Sequence, residues 1–362
     1  VTIELPIDQE DSENVALTPF WRSGAMVETV QFIQSGAGAA PEAKLLFLPK
    51  APPRVTSATR DTVYEHGRDY VVDRASGVLS LPEGSRIPYK TRAQLAAIAL
   101  PKDPRELEAL IAFRFQQVEV TYAHATDEWK GYAPTIAEAA LPKTLARLRA
   151  GEPLRILLIG DSIAEGGDAS KFMKLPPGLP SFAEQVAKGL ERAYRSPVTL
   201  NNVAQTGWTS RIGAALAVRG NLGVRNSDLI IVAFGMNDVT IRRAPNENGP
   251  AVYARSIGTI IDGIRGRAPG AEFILVSTMF GNINLELYPV DHYPIYRDQL
   301  RRLAGPGVAL ADLTAIWEEM LKRKSVFDFL GNGLNHPNDF GHSLYAQTIL
   351  ALLVDDRSAN RV

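Results

Sequence analysis

Ser162, Gly207, Asn237 and His336 lie far apart along the chain, yet their side-chain types form one set. A serine hydroxyl becomes a nucleophile when an imidazole takes its proton. The oxyanion formed on an attacked carbonyl needs donors already aimed at it. The backbone N–H groups of Ser162 and Gly207, with the side-chain amide of Asn237, would supply three. The chemistry these residues suit is acyl transfer, with Ser162 as nucleophile and His336 as base. Each stands in a stretch that turns the chain: "GDSIAEG" at 160–166, "QTGWTS" at 205–210, "GMND" at 235–238 and "GNGLNHPNDFGH" at 331–342.

Elements must bring these stretches together. Three of them directly follow strand-like runs, "ILLI", "LNNVA" and "LIIVAF", and the fourth precedes the last helix-like run, "SLYAQTILALLV". "LRILLIG" is continuously apolar, as a strand buried on both faces should be. "SFAEQVAKGLERAY" reads as an amphipathic helix with Ser181 as its N-cap. The strand–helix alternation from about residue 150 onward predicts a parallel sheet covered by helices on both faces. Sites in such sheets lie beyond the carboxyl ends of the strands, where all four stretches would gather.

Residues 1–150 have a different texture. Short apolar runs such as "ETVQFI", "KLLFLP" and "GVLSLP" are separated by Pro, Gly and Asp/Ser clusters, which predicts an antiparallel, sandwich-like β domain. "LIAFRFQQVEVTYAH" at 110–124 reads as one long strand. A helix-like run at 134–153 carries Pro142, expected to break or kink it. The chain thus divides into a β-rich accessory domain with its connecting segment, 1–150, and an α/β domain, 151–362.

In this order and these contexts, Ser162, Gly207, Asn237 and His336 resemble the four signature blocks of the SGNH (GDSL) hydrolase superfamily, over roughly residues 154–355. The resemblance implies an α/β, flavodoxin-like three-layer fold and ester hydrolysis without metal or other cofactor. A β-rich half ahead of such a domain resembles bacterial two-domain carbohydrate acetylesterases, which implies an acylated carbohydrate as substrate. Short acyl groups, acetyl first, are the expectation, because no apolar helix or greasy segment adjoins the motifs along the chain. A secreted or periplasmic location is expected with such a substrate, although no export signal is visible in this chain. Trp208 and Arg211, beside Gly207, are candidate substrate contacts: an aromatic ring stacks on sugar CH faces, and a guanidinium meets hydroxyl or charged groups.

One part of the family pattern is missing. The superfamily usually carries an Asp three residues before the histidine, to orient the imidazole and stabilise its cation; here that position is Gly333. Three readings stay open. Asn332 orients the ring through a neutral hydrogen bond; Asp328 or Asp339 folds back onto it; or a backbone carbonyl serves, leaving a Ser–His dyad. An uncharged partner is preferred.

Composition excludes several other classes. The 362 residues carry a net charge of -1, against the clustered positive charge that nucleic-acid binding needs. No apolar run approaches the roughly 20 residues of a membrane helix. With no cysteine, thiolate catalysis and disulfides are ruled out. His66, His124 and His292 are scattered and His342 reads as a capping or packing residue, so no metal site is expected. "GDSIAEGG" lacks the Gly-Lys-Ser/Thr of a phosphate-binding loop. Two rivals to hydrolysis remain: acyl transfer to a sugar hydroxyl through the same residues, and a non-catalytic glycan-binding protein on the same fold.

Overall fold

A computed structural model describes residues 18–224, 226–240 and 249–355. Among them, the first half builds two sheets from nine strands: β1 (Ala25–Val30), β2 (Ile33–Gln34), β3 (Glu42–Lys44), β4 (Arg54–Ser57), β5 (Val63–Tyr64), β6 (Val71–Asp73), β7 (Val78–Ser80), β8 (Lys90–Thr91) and β9 (Val118–Ala123). One sheet has the order β1-β9-β4-β5 and is antiparallel throughout. The other has the order β6-β7-β3-β2-β8, and its β2–β8 pair is parallel. In β1 the period-two alternation is plain: Met26, Glu28 and Val30 are buried while their neighbours are half-exposed.

Two helical segments in this half depart from the expected strand pattern. After a short helix α1 (Arg92–Ala96) comes α2 (Pro104–Ile111), followed by a 3-10 turn at Ala112–Gln116. The run 110–124, expected as one strand, is therefore helical as far as Gln116 and extended only from Val118 to Ala123. Signals upstream of the run outweigh its alternation. Asp103 caps α2 by accepting from the N–H groups of Arg105 and Glu106, and Pro104 occupies the first helical position, where its missing N–H costs nothing. The expected break at Pro142 is found, and the same rule places it: residues 134–141 are not helical. Pro142 opens α3 (Pro142–Arg149), and Glu272 accepts from the N–H groups of Lys143 and Thr144. Helix α3 packs on the parallel-sheet half.

That half carries β10 (Leu154–Gly160), α4 (Ser162–Glu165), α5 (Phe182–Tyr194), β11 (Val198–Asn202), α6 (Ser210–Arg219), β12 (Leu229–Ala233) and α7 (Pro250–Arg265). It continues with β13 (Glu272–Val276), α8 (His292–Leu303), β14 (Val308–Ala311), α9 (Leu313–Leu321) and α10 (Asp339–Leu353). The five strands are all parallel in the order β11-β10-β12-β13-β14, the flavodoxin-like arrangement. Helix α5 packs with α10 and α3, while α6, α7 and α8 pack together. The continuous apolar run of β10 follows from this layering: Ile156 to Ile159 have at most 1% of their surface exposed. Each such side chain contributes roughly 1.5–3 kcal/mol on burial.

The two halves share a buried polar junction. Lys324, just after α9, pairs with Glu28 of β1 and, at 3.2 Å, with Asp328, while Tyr122 of β9 donates to Glu28. Asp328 also accepts from the backbone N–H of Gln31, and burial pushes its carboxyl up to about 6.

Candidate active site

The nucleophile position is built by the end of β10. Gly160 closes the strand against β12, where a Cβ would stand 2.4 Å from the Ala233 carbonyl oxygen. Asp161 then caps α4, accepting from the Ile163 N–H at 3.0 Å. Burial pushes the Asp161 carboxyl up to about 7. Ser162 opens the helix and is 4% exposed. Its Oγ lies 2.8 Å from His336 Nε2, although 174 residues separate the two.

The histidine rides on a small closed loop. Leu330 and Pro337 form a β-bridge, Gly331 N–H donates to the His336 carbonyl, and Asn338 caps α10 through Gly341 N–H. Asn332 Oδ1 accepts from the N–H groups of Leu334, Asn335 and His336. Asn332 therefore shapes the turn that carries His336 and makes no bond to the ring. Asp328 is engaged at the junction between the halves, and Asp339 accepts from Arg114 and from Ser170 N–H.

The ring's partner is Asp168, with its Oδ2 2.9 Å from His336 Nδ1. The preference for an uncharged partner, and for Asn332 within it, is overturned by this contact. Asp168 sits six residues past Ser162, on the same loop, in the left-handed conformation (φ +63°). Three groups hold that loop. Gly167 leaves room for the ring, since a Cβ there would stand 3.1 Å from His336 Nδ1 and 2.9 Å from the Ser162 carbonyl oxygen. His342 Nε2 donates to the Gly167 carbonyl at 3.0 Å, its tautomer fixed because Nδ1 accepts from Phe182 N–H. Burial pulls His342 down to about 4, so it stays neutral at ordinary pH. Arg114, from the 3-10 turn of the first half, donates to the Asp168 carbonyl at 3.3 Å and to Asp339 at 3.0 Å.

The remaining motif residues frame the same place. Gly207 occupies a left-handed turn (φ +81°) after β11. Asn237, after β12, donates through its side-chain amide to the Trp208 carbonyl at 2.9 Å, which ties the second and third motifs together. Asn237 and His336 line one cleft of about 510 Å³, along with Thr206, Thr240 and Asn335. Trp208 packs partly against the core and Arg211 is exposed on α6; neither is among the described residues that line this cleft. Of the aromatics on the 280–294 connection, Tyr288 reaches the cleft wall, while Tyr293 is buried and its hydroxyl accepts from Gly281 N–H. No group of His, Cys, Asp and Glu side chains among the described residues is arranged to hold a metal ion, and none of the described helices is long and apolar enough to cross a membrane.

The family model for the GDSL-like lipase/acylhydrolase family matches residues 158–344, more than half of the chain. The chain belongs to that family. The SGNH resemblance and the expected fold are thereby borne out, and the family's chemistry supports an esterase. No curated protein searched matches the chain. Among solved structures, a two-domain esterase (CEX) active on acetylated mannans, crystallised with mannopentaose, is 22% identical with a TM-score of 0.48. The match covers 64% of this chain and 56% of that one, so the chain spans little more than half of that protein's length. Axe2, an acetylxylan esterase from Geobacillus stearothermophilus, is 18% identical with a TM-score of 0.44, over 56% of this chain and 97% of that one. The lipase Lip_vut3 from a goat rumen metagenome is 16% identical with a TM-score of 0.43, over 55% and 97%.

Proposed function

We propose that this GDSL-family protein is a serine esterase that hydrolyses acyl esters of a hydroxyl-rich alcohol, a carbohydrate first among them. The observation that carries the reading is the continuous relay from Ser162 Oγ through the His336 ring to Asp168, with contacts of 2.8 and 2.9 Å. With its proton on Nδ1 and donated to Asp168, His336 presents the Nε2 lone pair to the Ser162 hydroxyl. As Ser162 attacks the ester carbonyl, its proton passes to Nε2, and Asp168 stabilises the imidazolium that forms. The oxyanion is received by the N–H groups of Ser162 and Gly207 and by the Asn237 amide. His336 then protonates the departing alcohol, and a water molecule, deprotonated in the same way, releases the acid.

The carbohydrate reading is supported by the polar side of the cleft. Thr206, Thr240, Asn237 and Asn335 offer both donors and acceptors there. A polyol leaving group can exchange its water bonds for these. The test is turnover of p-nitrophenyl acetate and release of acid from acetylated xylan and mannan. Ser162→Ala should abolish both while leaving the circular dichroism spectrum unchanged. Undiminished turnover in that variant would overturn the assignment of Ser162, and hydrolysis of simple esters without any acylated glycan would overturn the carbohydrate reading. An acetylated donor mixed with an unacetylated acceptor, followed by mass spectrometry, separates hydrolysis from transfer.

A further inference from the structure

The cleft has a second, apolar side, and it comes from the first half of the chain. Helix α2 places Leu107, Leu110 and Ile111 at i, i+3 and i+4, one face of the helix, while Arg105 and Glu108 are exposed. In most amphipathic helices such a face is buried in a core. Here none of the described side chains of α2 is buried, and all three apolar residues line the cleft that holds His336 and Asn237. Phe172 and Met173, just past the Asp168 loop, extend the wall, with Leu287, Leu334, Leu100 and Pro101 beside them. Leu107 and Phe172 are 50% and 47% exposed, unusual for large apolar side chains unless something covers them in use.

Resting on the serine-esterase reading, we propose that this wall receives the acyl chain of the substrate. The protein then acts on esters of medium-chain acids, about six to eight carbons long, and α2 of the first half sets that length. A volume of about 510 Å³ lies within the range of sites for whole small molecules, roughly 300–1,000 Å³, and with the alcohol on the polar side an acetyl group would leave the apolar wall uncovered. These apolar side chains offer a sugar's hydroxyls no partners, so the wall disfavours the alcohol and favours the acyl tail. The expectation of a short acyl group rested on the absence of an apolar helix beside the motifs along the chain. Folding brings α2 there from more than 50 residues upstream of Ser162.

The test is a p-nitrophenyl ester series from acetate to dodecanoate, in which only the acyl group changes. A fully buried methylene raises kcat/KM about four-fold, and a half-covered one about two-fold. From acetate to hexanoate kcat/KM should therefore rise about ten-fold or more. Leu107→Ser combined with Phe172→Ser should lower the octanoate-to-acetate ratio about ten-fold, whereas Leu48→Ser, exposed elsewhere on the first half, should leave the ratio as it is. Calorimetry on Ser162→Ala reads the same preference without turnover, with the octanoate ester bound more tightly than the acetate. A profile that is flat or falls from acetate, or one that the double variant does not change, would overturn the proposal while leaving an active esterase. Loss of turnover on every ester in the wild type, with equal binding of both esters to Ser162→Ala, would instead remove the esterase reading as well.

Discussion

Replacing Asp168 by Asn isolates the charge that the site places behind its histidine. The variant is nearly isosteric, and Asn tolerates the left-handed backbone found at this position, so the loop should keep its path. What is lost is a carboxylate 2.9 Å from His336 Nδ1 as the ring becomes cationic in the transition state. With an effective dielectric constant of about 20, Coulomb attraction at this distance is roughly 6 kcal/mol. The His336 side chain keeps 23% of its surface in water, which screens part of that. A net loss of about 4 kcal/mol is expected, or about 10³-fold in kcat. The interaction forms only as charge develops, so KM should change little. Steady-state turnover of p-nitrophenyl acetate by the variant, beside Asn332→Ala as a control for the His336 loop, provides the assay. If Asp168→Asn folds normally and keeps kcat within ten-fold of wild type, the carboxylate is not the histidine's electrostatic partner and a Ser–His dyad accounts for the activity.

Four further outcomes follow from the same contacts. Gly167→Ala should lower kcat about 10²-fold and destabilise the fold by about 1–3 kcal/mol, because the new methyl meets the Ser162 carbonyl oxygen as well as the His336 ring; steady-state kinetics with a thermal melt checks this. Arg114→Ala leaves half-buried Asp339 without its cation and should cost about 2 kcal/mol in urea denaturation, with kcat falling as the Asp168 loop loosens. Lys324→Met strands Glu28 and Asp328 and should destabilise the fold by about 3–5 kcal/mol, measured in the same way. His342 is held neutral, with a folded pKa lowered to about 4 against 6.5. Its contribution is complete above pH 6.5 and drains away as the pH falls toward 4, because the unfolded chain takes up the proton first. Relative to His342→Gln, the wild type should therefore lose up to about 3 kcal/mol over that window; comparing the two proteins cancels the opposite trends from Asp161 and Asp328, whose folded pKa values are raised.

The parallel sheet was legible because its strands are buried on both faces, which leaves an unbroken apolar run such as "LRILLIG" with a turn motif at its carboxyl end. Ser162 and His336 were legible for the same reason, as polar residues fixed at the ends of such elements. Asp168 was not legible because the acid candidates near His336 in sequence, Asp328 and Asp339, are engaged elsewhere, whereas the ring's partner arrives from the nucleophile's own loop, and only the folded sheet brings the two loops together. A signal did exist: an Asp after two glycines, immediately past a nucleophile motif, where the backbone is free to double back. Helix α2 was hidden by the alternation of the run that follows it, although Asp103 and Pro104 announced its start. Its place over the cleft is a tertiary fact with no local trace.

The short segment Arg114–Gln117 reaches both moving parts of the chemistry. Arg114 grips the acid's loop, while Gln117 donates to the Phe327 and Leu330 carbonyls and accepts from Asn338, at the base of the histidine's loop. An engineer who cut the chain at 151, or grafted a foreign module in front of it, would take away a brace shared by two of the three relay residues. Swapping the front module for a foreign one should therefore retune turnover, and chimeras that keep residues 104–123 with the hydrolase are the ones to build.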